Sequence, residues 1–133
     1  MPEISQLLGA MITYYSGDVR RIHHFIKVHD LARTIGILEG LDEETLYILE
    51  AAAAVHDIGI RICELKYGRC DGNLQEQEGP ELARDMLTAL GFNEKVIIRA
   101  DRATPYEKLV GVIDVCRSAD VWNFSLATEG DGK

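Results

Sequence analysis

The chain has 133 residues, of which 47% are hydrophobic, and this length and composition suffice for one globular domain with a buried core. Its formal net charge of −8 argues against binding to nucleic acid polymers, which requires clustered Lys and Arg side chains. No apolar run reaches the roughly 18 residues that span a bilayer, and the first residues lack a basic secretory signal, so we expect a cytoplasmic protein without a membrane partner.

The spacing of apolar residues predicts helices almost throughout the chain. The predicted helices cover residues 4–15, 18–38, 43–57, 78–90, a short stretch after Asn93, and 104–126, while segment 58–77 is predicted to be irregular because it contains three glycines. We therefore predict an all-α bundle of about six helices that forms a single domain over residues 1–133. Apolar residues of the first helix, such as Leu7 and Met11, either pack on the core or form the face of a homodimer.

The end of the predicted third helix carries two candidate metal ligands. His56 and Asp57 follow the apolar run 51–55, so the helix presents an imidazole and a carboxylate side by side at the floor of the core. These groups suit zinc, iron, manganese and similar divalent ions. The alternative is that His56 is a packed core histidine and Asp57 a residue at the helix end.

The predicted second helix offers a third candidate. His24 shares the apolar face of this helix with Val28 and Ile35, at helical spacings of three and four, and therefore points inward. His23 lies on the polar face. His29 lies on the flank, where a packed histidine is the favoured interpretation over a ligand.

The predicted last helix supplies a carboxylate. Asp120 continues an apolar stripe with Ile113 and Cys116, a costly position for a charge unless it is paired or bound to a metal. Asp114 lies on a polar edge of the same helix and is the second choice. The predicted ligand set, drawn from three helices, is His24, His56, Asp57 and Asp120.

The cysteines are predicted to be reduced thiols. There are three of them, an odd number, and none forms a CxxC pair. Cys63 and Cys70 are alternative metal ligands, but no histidine lies near them in the sequence.

Three segments, 21–29, 53–59 and 118–123, together resemble the motif of the HD-domain metal-dependent phosphohydrolase superfamily: an early His, a central His-Asp and a late Asp. The likeness covers about residues 18–126, and segments 64–68 and 74–80 resemble a branch of small bacterial phosphohydrolases. The resemblance implies an HD-type helical bundle that binds one divalent ion (Mn, Fe, Zn, Co or Mg). It also implies hydrolysis of a nucleotide or small phosphomonoester by a metal-activated water.

The resemblance also implies roles for individual residues. Asp57 would be both a ligand and the group that positions the water, and Glu64 is a candidate general acid or base. Lys66, Arg69 and Arg21 are candidates for binding the phosphate. For Glu64 and for each of the basic residues, a solvated surface charge is the alternative.

Two departures from the family pattern motivate a second hypothesis. Segment 99–105 contains no histidine, and Ile60 stands where some relatives carry Lys or Glu. The first departure disfavours a site with two metals. Both departures leave open a degenerate HD module that binds a nucleotide or a protein without turnover.

Overall fold

The computed structural model describes residues 1–103, and it describes side chains for residues 1–100 apart from 72, 75 and 76. Within this part the chain is helical and contains no strand, which confirms the predicted all-α class. The helices are α1 (Ile4–Tyr14), α2 (Val19–Leu38), α3 (Glu43–Val55), α4 (Ile60–Tyr67), α5 (Gly72–Ala89) and α6 (Glu94–Ala103). None of these helices is long and apolar enough to cross a membrane.

Side-chain caps set the beginnings of these helices. Asp18, Asp42 and Asp71 each accept a hydrogen bond from the backbone amide three residues further on, at 3.3, 2.7 and 2.9 Å. These bonds satisfy amides that have no partner within the helix. The predicted caps Asp18 and Asp42 are thereby confirmed, as is Asn93 at α6.

Helix α3 is the centre of the described fold. It packs against α1, α2 and α6, and every residue from Ile48 to Val55 is buried. The four alanines in this stretch have small side chains, so the surrounding helices can approach closely. Leu7 and Met11 of α1 are also fully buried. Of the two predicted alternatives, these residues therefore pack on the core and do not form an exposed dimer face.

The core face of α2 differs by about one residue from the predicted one. The buried positions of this helix include Phe25, Val28, His29 and Ala32, whereas His24 is only partly buried. The prediction that His29 is a packed histidine is confirmed, but its placement on the flank is wrong.

The prediction of an irregular segment over 58–77 is also wrong. Helix α4 occupies Ile60–Tyr67 and ends at Gly68, whose φ of 71° is the left-handed conformation that glycine adopts readily. Helix α5 begins at Gly72 rather than at 78–80, because the Asp71 cap begins it earlier. Pro80 therefore lies inside α5 and not in its first turn.

Candidate metal centre

Two consecutive residues at the end of α3 meet one residue of α2. His56 is the C-cap of α3, and Asp57 follows it in the turn that leads to α4. Asp57 Oδ2 lies 3.0 Å from His56 Nε2 and 3.1 Å from His24 Nε2. The two imidazole rings are 5.6 Å apart between centroids. The structure thus brings together three of the four predicted ligands. Asp120 and its alternative Asp114 lie outside the described residues.

The orientation of His56 is fixed by its own helix. Its Nδ1 lies 2.7 Å from the carbonyl oxygen of Ala53. Because a carbonyl oxygen only accepts, Nδ1 carries the proton and donates. Nε2 is then the nitrogen that faces the Asp57 carboxylate. Metal-bound histidines commonly have this arrangement, in which one ring nitrogen donates to a carbonyl and the other faces the site.

The Asp57 carboxylate is held in its ionised form. Burial alone would raise its pKa, but hydrogen bonds from His24 and His56 and the charge of the two rings outweigh burial and hold the pKa well below its usual range. An ionised carboxylate between two imidazoles is a donor set that divalent transition metals prefer.

The three donor atoms are close enough to share one ion. They all lie within 4.8 Å of one another. The side chain of His56 is 8% exposed, whereas those of Asp57 and His24 are 20% and 31% exposed. The set is therefore anchored in the core by His56 and open to solvent on the side of His24.

Two tyrosines of α1 hold the turn that carries Asp57. The hydroxyl of Tyr15 donates to the backbone carbonyl of Asp57 at 2.7 Å, and that of Tyr14 donates to the carbonyl of Ile58 at 3.2 Å. Burial raises the pKa of Tyr15, and the Asp57 carboxylate raises it further, so the hydroxyl remains a donor. Neither tyrosine is predictable from the sequence, since no local pattern points to contacts across more than 40 positions.

Arg21 and Glu64, a predicted substrate-binding residue and a predicted acid or base, contact each other. Arg21 Nη2 lies 2.8 Å from Glu64 Oε2, and Arg21 Nη1 lies 2.8 Å from Asp18 Oδ2. Arg21 precedes His24 by one turn of α2, so their side chains emerge on neighbouring parts of one helix face. Of the three basic residues predicted to bind phosphate, Arg21 is therefore the one that lies beside a candidate metal ligand.

Lys66 and Arg69 are engaged around the start of α5. Lys66 Nζ lies 3.0 Å from Glu78 Oε1, and the guanidinium of Arg69 pairs with the cap residue Asp71. Both basic side chains are more than half exposed. Such contacts are expected of solvated surface charges, which is the alternative that the sequence left open. A role in substrate binding stays a prediction for both residues.

The two described cysteines are free thiols, as predicted. Cys63 is fully buried, and burial together with the neighbouring Cys63 thiol raises the pKa of Cys70 to about 11. A thiol that stays protonated is a poor metal ligand. Within the described part of the chain, the cluster suited to a metal consists of His24, His56 and Asp57.

No family model, no curated protein and no solved structure matches the chain. The case for a metal centre accordingly rests on the geometry of the described residues, and the resemblance to the HD superfamily stays a prediction.

Proposed function

We propose that this protein is a metal-dependent phosphohydrolase that acts on a nucleotide or small phosphomonoester. The observation that carries the proposal is the convergence of His24, His56 and Asp57, whose donor atoms all lie within 4.8 Å of one another, with His56 Nδ1 engaged by Ala53 and its Nε2 facing the Asp57 carboxylate. Two imidazoles and a carboxylate are donors that suit a divalent ion. Two features support the proposal that the substrate carries a phosphate group: the motif resemblance, and the position of Arg21 beside His24.

Each of the candidate residues has a separate role in the proposed site. His24, His56 and Asp57 would hold one divalent ion (Mn, Fe, Zn, Co or Mg), with Asp120 as the proposed fourth ligand. Such an ion supplies a water of lowered pKa, and hence a nucleophile at neutral pH. Asp57 holds its negative charge at the ligand position, and the hydrogen bond to Ala53 keeps the His56 ring in one orientation. Arg21 presents a planar guanidinium that matches two phosphate oxygens.

The test combines metal analysis with a phosphatase assay. The purified protein is loaded with Mn²⁺, Co²⁺, Zn²⁺ or Mg²⁺, its bound metal is measured, and phosphate release from nucleoside monophosphates and p-nitrophenyl phosphate is followed. We expect about one equivalent of bound metal and metal-dependent phosphate release. Replacing a residue that only contacts a ligand typically weakens metal binding by about 10- to 100-fold. Replacing a ligand itself should therefore weaken metal binding by at least about 100-fold.

The variants His56→Ala and Asp57→Asn test the assigned ligands, and His23→Ala is the matched control, because His23 is exposed on the same helix as His24. Full metal uptake by both ligand variants would disprove the metal centre. Metal uptake without release from any phosphoester would favour the second hypothesis, a module that binds its ligand without turnover.

A further inference from the structure

The Arg21 guanidinium is shared between two carboxylates of different kinds. Asp18 is local: its Oδ1 accepts from the backbone amide of Arg21 as the cap of α2, and its Oδ2 accepts from Arg21 Nη1. Glu64 reaches Arg21 Nη2 from α4, across 43 positions of sequence. The Asp18 contact is thus part of the helix end, whereas the Glu64 contact joins two separate helices.

The Glu64 carboxylate is accessible. Its side chain is 45% exposed and that of Arg21 is 32% exposed. Exposed Arg–Glu pairs contribute little to stability, because the ions lose little by returning to water. Replacing Glu64 on the guanidinium by another anion therefore costs little free energy.

We propose that Glu64 is a placeholder for the phosphate group of the substrate: its carboxylate occupies Nη2 of Arg21 in the free protein, and a phosphate bound beside His24 displaces it. This inference rests on the proposed function. The guanidinium fork donates to carboxylate and phosphate oxygens in the same geometry, and phosphate carries the larger negative charge. Asp18 keeps its contact with Nη1 and holds Arg21 in position during the exchange.

The negative charge of Glu64 also opposes phosphate binding, in addition to its contact with Arg21. Asp18, Glu64 and Asp57 place three carboxylates around this end of α2, in a chain whose formal net charge is −8. Each of them repels an incoming phosphate. Converting Glu64 to glutamine removes one of these charges, preserves the shape of the side chain and leaves a weaker acceptor on Arg21.

The experiment measures binding of inorganic phosphate to the full chain by isothermal titration calorimetry, with and without one equivalent of Mn²⁺. The proteins are the wild type, Glu64→Gln and Glu44→Gln. Glu44 is a matched control, because it is 51% exposed and pairs with Arg99 at 2.8 Å. It lies in the first turn of α3, about 18 Å along that helix from His56.

Glu64→Gln should bind phosphate about 2- to 5-fold more tightly than the wild type, the size expected from loss of an exposed ion pair. Glu44→Gln should bind as the wild type does, and circular dichroism checks that both variants are folded. Unchanged or weaker binding by Glu64→Gln overturns the proposal, as does an equal gain in Glu44→Gln. A general acid at Glu64 would give slower turnover with no gain in phosphate affinity.

The same data separate this proposal from the proposed function. If no variant takes up Mn²⁺, the metal centre fails, while the titrations without metal still compare Glu64→Gln with the wild type. If Mn²⁺ binds but neither the wild type nor Glu64→Gln binds phosphate, the placeholder role is wrong and the metal centre stands.

Discussion

His29 Nε2 lies 2.8 Å from Glu50 Oε1 in the buried interface between α2 and α3. Arg33 Nη1 occupies the other Glu50 oxygen at 2.8 Å, and His29 Nδ1 lies 3.0 Å from Asp30 Oδ1. Carboxylate oxygens therefore face both nitrogens of the His29 ring. This network joins the two helices that carry the candidate metal ligands.

Glu50→Ala should destabilise the protein by about 1–3 kcal/mol, because it leaves the buried Nε2 of His29 without its hydrogen-bond partner. Urea unfolding monitored by circular dichroism measures the loss. Glu44→Ala is the control: its ion pairs with Lys95 and Arg99 are exposed, and its cost should stay below about 1 kcal/mol. Equal losses in the two variants would contradict a special role for the buried network.

Tyr15→Phe should affect both stability and metal binding. The variant leaves the Asp57 carbonyl without its donor at 2.7 Å, and a buried polar group that loses its partner costs about 1–3 kcal/mol. Because the same turn carries the Asp57 ligand, Mn²⁺ affinity should fall by about 10-fold. Tyr14→Phe, which removes a longer bond of 3.2 Å to the next carbonyl, should have smaller effects on both. Wild-type Mn²⁺ affinity in Tyr15→Phe would show that the turn keeps its shape without this bond.

The stability of the metal-free protein should depend on Asp57 in acid. The folded state holds the pKa of Asp57 below its usual value, mainly because its histidine hydrogen bonds outweigh burial. As pH falls through about 4, the unfolded chain takes up this proton first, so the stabilisation present at neutral pH is progressively lost. Urea midpoints at pH 5, 4 and 3 in the presence of a chelator measure the loss. Asp57→Asn has no carboxyl group to titrate at this position, so its urea midpoint should fall less between pH 5 and pH 3. An equal fall in the wild type and in Asp57→Asn would refute the assignment.

Two helical glycines should respond oppositely to alanine. A Cβ at Gly9 of α1 meets no atom within 4 Å, so Gly9→Ala should stabilise the protein by about 1 kcal/mol through helix propensity. A Cβ at Gly36 would lie 2.8 Å from Leu46 Cδ1 and 3.1 Å from Leu49 Cδ2. Overpacking at Gly36 costs about 1–3 kcal/mol, which outweighs the gain in helix propensity, so Gly36→Ala should lower the stability of the protein. Thermal unfolding compares the two; a higher Tm for Gly36→Ala would show that the leucines adjust freely.

The sequence predicted those helices whose ends carry their own signals. Asp18 and Asp42 cap α2 and α3 as expected, and Gly40, with φ of 75°, follows the end of α2. Helix α4 was missed because it is short and lies between two glycines that also occur in loops. Pro80 was misplaced because proline prefers a first turn, whereas the Asp71 cap begins α5 earlier.

The site was predictable as far as helix periodicity and adjacency reach. His56 and Asp57 are neighbours in sequence, and His24 falls on a helix that was correctly placed, so their meeting follows from the packing of α2 on α3. The Tyr15 contact and the pairing of Arg21 with Glu64 depend on how α1 and α4 dock. Docking is a long-range property that local patterns do not encode.

The close spacing of the three candidate ligands in the chain bears on the order of events during synthesis. His24 lies on α2 and Asp57 follows the end of α3, 33 positions later, with Gly40 in the turn between the two helices. Closing one helical hairpin therefore assembles the donor set, and such short-range contacts form early. The ribosome completes α1–α3 before it reaches α4, so the three candidate ligands can come together while the rest of the chain is still being translated.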